Sequence, residues 1–180
     1  MPNGFSFRAL TASALCALTL QLGCSDDLTW RAVDRMIAAN VPDVPVITTD
    51  SLAQRLDDSS TPQPTLLDAR SPEEHAVSHL PGARRIDPDA ETVPGLDSLS
   101  RDAPIVVYCS VGYRSARITS RLRTQGFTNV SNLKGSIFRW ANEGRTVVRD
   151  GTPVQAVHPY NDTWGRLLND DLHARPRDPS

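Results

Sequence analysis

Cys109 is the side chain best placed by its neighbours to do chemistry. It follows the strongly apolar run Ile105–Tyr108 and opens the stretch Ser110-Val111-Gly112-Tyr113-Arg114-Ser115, after which Ala116, Ile118 and Leu122 recur at helical spacing up to Gly126. A cysteine between a buried strand and a helix faces backbone amides and the positive end of a helix dipole, and both favour a thiolate. Such settings pull a thiol from about 8.5 into the range of roughly 3.5 to 7.5. Gly112 lets the backbone take a positive φ, so that successive amides turn inward as an anion nest, and Arg114 adds a fixed positive charge. The chemistry indicated is attack by an anionic nucleophile on an anionic substrate. A lone cysteine in a strand is more often a small buried hydrophobe; the glycine and arginine at these offsets argue for function here.

Other titratable residues offer less. Asp68 and Arg70 close a short apolar strand, Thr65–Asp68, and His79 belongs to the turn His79-Leu80-Pro81-Gly82-Ala83. His75, His158 and His173 lie at no metal-ligand spacing with another Cys or His, so no metal or other cofactor is expected.

The elements that must position Cys109 alternate between strand and helix. Val41–Thr49 suits a first strand, and Asp50 is a candidate cap for a helix carrying Leu52, Ala53 and Leu56. Ser71 with Glu74 forms a capping box, and Pro72 falls at the first helical position. A short strand follows around Arg84–Ile86, then a Pro-, Gly- and Asp-rich loop from Asp87 to Ala103. Beyond the Cys109 helix, Phe127–Leu133 reads as a strand, and Ser136 is a candidate cap for a helix with Ile137, Phe138 and Trp140. This alternation implies a mostly parallel sheet covered on both faces, with ligands beyond the carboxyl ends of the strands, where Cys109 falls.

The amino-terminal region differs in composition. Residues 9–23 are uncharged and mostly Ala, Leu and Thr, after a start carrying Arg8, and no acidic residue precedes Asp26. That is the layout of a secretory signal, too short for a membrane span of about 20 residues. It ends in Leu22-Gly23-Cys24-Ser25, which resembles the lipobox of bacterial lipoproteins, although Gln21 stands where an apolar residue is preferred. The expectation is export to the periplasm, with Cys24 as the lipidation site and a route to membrane attachment. Cys16 would leave with the signal, and Cys109 would remain as the one free thiol, unable to close an intramolecular disulfide. Asp26–Asn40 then reads as an amphipathic lead-in helix, with Trp30, Val33, Met36 and Ile37 on one face.

A chain of 180 residues with 39% hydrophobic side chains fits one globular domain with short appendages. Its 19 basic and 21 acidic residues are mixed along the sequence, which leaves no basic stripe for a phosphate backbone, and nucleic acid is not an expected partner.

Taken together, Tyr108–Ala116, Gly126-Phe127-Thr128-Asn129-Val130, Leu133-Lys134-Gly135 and Trp140 resemble a single-domain rhodanese, with Leu67-Asp68-Ala69-Arg70, Glu74 and His79–Ala83 matching further stretches of that family. The resemblance runs from about Val44 to Val148. It divides the chain into a signal (1–24), a helical lead-in (25–43), a rhodanese-like domain (44–148) and a carboxyl-terminal extension (149–180). One departure is Ser136, where many members have a second glycine. The resemblance implies an α/β/α fold around a five-stranded, mostly parallel sheet, and a sulfurtransferase with Cys109 as its catalytic nucleophile. In that cycle Cys109 takes the outer sulfur of a small anionic donor such as thiosulfate as a persulfide, and passes it to cyanide or to a thiol acceptor. The loop residues Ser110, Val111, Gly112, Tyr113, Arg114 and Ser115 would bind the substrate, Arg114 attracting the sulfonate end, while Asp68 and Arg70 would brace the loop by ion pairs. The rival of the same fold is a phosphatase or arsenate reductase, but a phosphatase needs five residues between Cys and Arg, and here there are four, with Ser115 at the required place. The rival of another class is a non-catalytic rhodanese-like binding module.

Overall fold

The computed structural model describes residues 15–174 other than 91 and 94, with side chains from residue 28 onward. The elements that build the sheet are β1 (Val46–Ile47), β2 (Thr65–Asp68), β3 (Arg84–Arg85), β4 (Ile105–Tyr108) and β5 (Val130–Leu133). All four pairings are parallel, in the order β1-β5-β4-β2-β3. The helices are α1 (Leu15–Asn40), α2 (Thr49–Asp57), α3 (Pro72–Val77), α4 (Tyr113–Thr124), α5 (Ser136–Asn142) and α6 (Asp162–Gly165). An antiparallel hairpin, β6 (Val147–Arg149) and β7 (Thr152–Val154), straddles the expected start of the carboxyl-terminal extension.

β4 takes the centre because Ile-Val-Val-Tyr is apolar on both faces, and every one of its residues is buried. The period-two alternation of a strand sorts these side chains into two cores. Leu66, Val106 and Tyr108 face one way, where α1, α2 and α5 cover them with Ile37, Leu52, Ile137 and Phe138. Leu67, Ile105, Val107 and Cys109 face the other way, beneath Ile118 and Leu122 of α4, Ile86 just after β3, and Val93 and Leu96 of the long loop. The result is the expected three-layer arrangement with a five-stranded sheet.

Connections place the site. From β2 the chain steps outward to β3, and from β4 it steps in the opposite direction to β5, so the winding reverses between β2 and β4. The carboxyl ends of those two strands form the crevice in which α/β sheets bind ligands. Asp68–Arg70 and Cys109 stand at its two sides.

Several local expectations are corrected. Thr48, not Asp50, caps α2, its hydroxyl accepting from the Ser51 amide at 3.1 Å. Gly135, not Ser136, caps α5, and it does so in the left-handed region with φ 72°. Both shifts follow from residues with two equally local bonding options. The first strand shrinks to Val46–Ile47, preceded by Pro45, whose carbonyl accepts from the Asn132 amide at 2.8 Å but which has no N–H to donate, and the strand after Phe127 begins only at Val130. The capping box stands as read: Ser71 accepts from Glu74 N, and the Glu74 carboxylate accepts from Ser71 N.

The lead-in helix is longer than Asp26–Asn40, since α1 runs unbroken from Leu15 through Cys24. Of the expected signal (1–24), residues 1–14 lie outside the described residues, as does the Cys24 side chain. Among the described residues no helix is long and apolar enough to cross a membrane, and no group of three or more His, Cys, Asp or Glu converges as a metal site.

Candidate active site

The Cys109 loop is held in place by main-chain bonds to the first turn of α5. The Ile137 amide donates to the Cys109 carbonyl at 3.2 Å and the Phe138 amide to the Ser110 carbonyl at 3.1 Å. The Ser136 hydroxyl accepts from the Cys109 amide at 3.1 Å and lies 3.2 Å from the Leu133 carbonyl, to which it donates. Ser136 sits at φ 51°, a left-handed conformation uncommon outside glycine.

Gly112 makes the turn into α4 with φ 116°. A Cβ there would come within 3.2 Å of Ile37 Cδ1 on α1 and 3.6 Å of Asn132 Nδ2, so strain and crowding both demand glycine. The turn sends the Gly112 amide to Cys109 Sγ at 3.2 Å, and the Ser115 hydroxyl approaches the same sulfur at 3.5 Å. Burial works against the thiolate, for Cys109 is only 1% exposed. The Arg114 charge, the Ser115 hydroxyl and the Ser115 and Gly112 amides outweigh it and hold the thiol below its ordinary value. The sulfur is therefore buried among groups that favour its anion.

Arg114 is more constrained than its sequence suggests. Its Nη1 donates to Glu74 Oε2 and its Nη2 to Glu74 Oε1, both at 2.8 Å, and Nη2 also donates to the Ser110 hydroxyl at 2.9 Å. Ser110 in turn donates to Glu74 Oε1 at 2.6 Å. Burial would raise the Glu74 carboxyl, but these donors from Arg114 and Ser110 bring it below the usual range. Glu74 reads in the sequence as a helix cap and as part of the family resemblance, but its reach to Arg114 was not foreseen. The capping box explained the residue completely at short range, while one carboxylate reaches across the crevice to clasp the loop some 40 residues away.

Asp68 and Arg70 occupy the facing strand end, and what they brace differs from expectation. Arg70 forks onto Asp68, Nε to Oδ1 at 2.8 Å and Nη2 to Oδ2 at 2.6 Å, and Nη2 also donates to the Ser78 carbonyl at 2.6 Å. Tyr108 donates to Asp68 Oδ2 at 2.9 Å while accepting from the Leu80 amide, and His75 Nδ1 sits 2.9 Å from the same carboxylate oxygen. The network fixes the last residue of β4 and the turn at residues 78–80; the ionic clasp of the Cys109 loop is Glu74. His79 stacks on His75 with centroids 4.0 Å apart, and burial depresses its basicity, which suits a packing role.

Above Cys109 lies a chamber of about 80 Å³, walled by the loop and by Tyr160 and Trp164 from the carboxyl-terminal segment. The Arg114 guanidinium packs on the Tyr160 ring at 4.7 Å from its centroid.

Residues 48–143 match the Rhodanese-like domain family. The chain belongs to that family. It is 35% identical over 103 residues to a sulfurtransferase of Allochromatium vinosum, covering 57% of this chain and 92% of that protein. It is also 26% identical to the tRNA uridine(34) hydroxylase of Photorhabdus laumondii over 94% of its own length, spanning only 53% of that longer protein. Among solved structures, a rhodanese-like domain protein from Staphylococcus aureus superposes with a TM-score of 0.50 at 30% identity, covering 59% of this chain and 99% of its own. The rhodanese fold of the sheet is thus shared with proteins of known structure.

Proposed function

We propose that this rhodanese-like domain is a sulfurtransferase that carries sulfane sulfur on Cys109. The observation that carries the reading is the Cys109 sulfur, desolvated yet held toward its anion by Gly112, Ser115 and Arg114. The thiolate attacks the outer sulfur of thiosulfate; the S–S bond breaks, its electron pair leaves with sulfite, and a cysteine persulfide anion remains. A cyanide or thiolate acceptor then attacks the terminal sulfur and returns Cys109 as thiolate. Charge is conserved in both steps, and neither needs an external oxidant. The loop amides hold the charge where the persulfide ends, the role of an oxyanion hole.

Arg114 in this scheme acts chiefly by fixing the loop and lowering the thiol, because Glu74 and Ser110 already occupy two of its nitrogens. Arg114→Ala is therefore expected to reduce kcat at neutral pH by about tenfold or more and to shift the pH midpoint of Cys109 alkylation upward, since the Arg114 charge helps to hold the thiol down. A change confined to the Michaelis constant for thiosulfate would return Arg114 to simple donor binding.

A second reading rests on the hydroxylase relatives, whose similarity continues past the domain into both extensions. It gives the chain a tRNA uridine as substrate. The net charge of −2 without a basic stripe weighs against it, and absence of tRNA binding at low salt would remove it.

One measurement tests the main reading and the proposed export together. Mass spectrometry of the protein from its native source, before and after thiosulfate, is expected to show one added sulfur at Cys109. It is also expected to show an amino terminus at Cys24 bearing lipid, in keeping with periplasmic location. No added sulfur would defeat the transferase; an intact Met1 would defeat export alone.

A further inference from the structure

The carboxyl-terminal segment reaches the site, where Tyr160 packs on Arg114 and Trp164 packs against the main core, and its hydrogen-bonded fixings stand on either side. The Ser78 hydroxyl donates to the Ala156 carbonyl at 2.7 Å, the Val157 amide to the Leu172 carbonyl at 2.7 Å, and the Ala174 amide to the Val157 carbonyl at 2.9 Å. Asn142 binds both the Leu167 carbonyl and the Asn169 amide, and Val157 and Leu168 are buried against the main core. Between these fixings the chain rises over Cys109. Tyr160 is 45% exposed and lies on Arg114, and Trp164 lines the same chamber.

We infer that Tyr160 and Trp164 are specificity-determining residues that roof the Cys109 chamber and restrict it to inorganic sulfur anions and acceptors of cyanide size. The inference rests on the sulfurtransferase reading and names its substrate class. A chamber of about 80 Å³ stands far below the 300–1,000 Å³ of pockets that enclose drug-sized molecules. Cys109, at 1% exposure, lines that space. A persulfide formed there projects toward the two rings, so a linear or compact nucleophile meets its terminal sulfur, whereas a thiolate on a tripeptide or a protein collides with the roof. The same rings keep water and stray thiols from the charged sulfur while Arg114, packed under Tyr160, keeps its place.

Tyr160→Ala in the full chain tests this, with Trp164→Ala as the second variant; Tyr160 is half exposed and no anchoring bond runs through its side chain, so the fold does not depend on it. Two ratios are read. The first is site-resolved alkylation of Cys109 by fluorescein maleimide relative to iodoacetamide. The second is kcat/KM for sulfur delivery from thiosulfate to glutathione relative to cyanide. Both ratios are expected to rise at least tenfold over wild type in Tyr160→Ala. Ratios within twofold of wild type in both variants would overturn the roof, whether or not overall rates change. If the labelling ratio rises but wild-type Cys109 acquires no sulfur from thiosulfate, the transferase reading fails and the roof stands.

Discussion

Cys109→Ser is expected to lower thiosulfate-to-cyanide transfer by at least about 10³-fold, since the residue acts as the covalent carrier and the rest of the site has no substitute for it. Serine matches cysteine in shape, and its hydroxyl gives the Gly112 and Ser115 donors an oxygen to bind, so stability should change by about 1 kcal/mol or less. What is lost is ionisation: an alcohol in the same nest stays protonated and cannot hold a second sulfur. Thiocyanate formation measures the result, and retention of even a tenth of the activity would end the persulfide scheme. The wild-type profile should also rise with pH through a midpoint below that of an ordinary thiol, because the Arg114 charge and the Ser115 and Gly112 donors hold Cys109 down against its burial. A midpoint at or above the ordinary one would mean that burial, not the nest, governs the sulfur.

The largest stability effect should come from Asp68→Ala. Asp68 and Arg70 are both fully buried, and removing the carboxylate strands the Arg70 charge, the Tyr108 hydroxyl and the His75 ring together. Breaking a buried pair in this way costs about 3–5 kcal/mol, equivalent to a fall of roughly 10 °C in melting temperature for a domain of this size. Asp68→Leu with Arg70→Met, which removes both charges, should recover much of that loss. Burial tends to raise the Asp68 carboxyl, but the bonds from His75 and Arg70 bring it down to about 2. A carboxyl lowered on folding binds its proton more readily when unfolded, so its contribution is complete above about pH 5 and disappears as pH falls toward 2. Wild type should thus lose stability across that acid range while the double variant loses less. A melting temperature within 2 °C of wild type for Asp68→Ala would show that the pair supports nothing.

The sequence made the Cys109 loop readable because everything that prepares the sulfur is local. A four-residue apolar strand, a glycine free to take a positive φ and an arginine five positions after the cysteine lie close together in the chain, and each constrains the next. β4 and the Ser71–Glu74 capping box were legible for the same reason. The caps of α2 and α5 slipped by one or two positions because Thr48 and Asp50, or Gly135 and Ser136, are chemically adequate alternatives, and tertiary contacts choose between them. The contacts of Glu74 and Tyr160 with Arg114 were not legible, for a different cause. Glu74 has a satisfying local role in a helix cap and Tyr160 lies in the carboxyl-terminal extension, and their contacts with Arg114 exist only after segments 40 or more residues apart meet. Arg114 was read as free for substrate on the same grounds, since nothing near it in sequence is acidic.

Ser136 gives position 136 a balance that can be evaluated. A residue other than glycine at φ 51° costs about 1–2 kcal/mol, and an ordinary hydrogen bond, such as that from the Cys109 amide to its hydroxyl, contributes about 0.5–1.5 kcal/mol. The two nearly cancel, so serine and glycine are close to interchangeable for folding at this site. What the hydroxyl adds is angular: it ties the nucleophile's own amide to α5, fixing the direction in which the sulfur leaves the backbone.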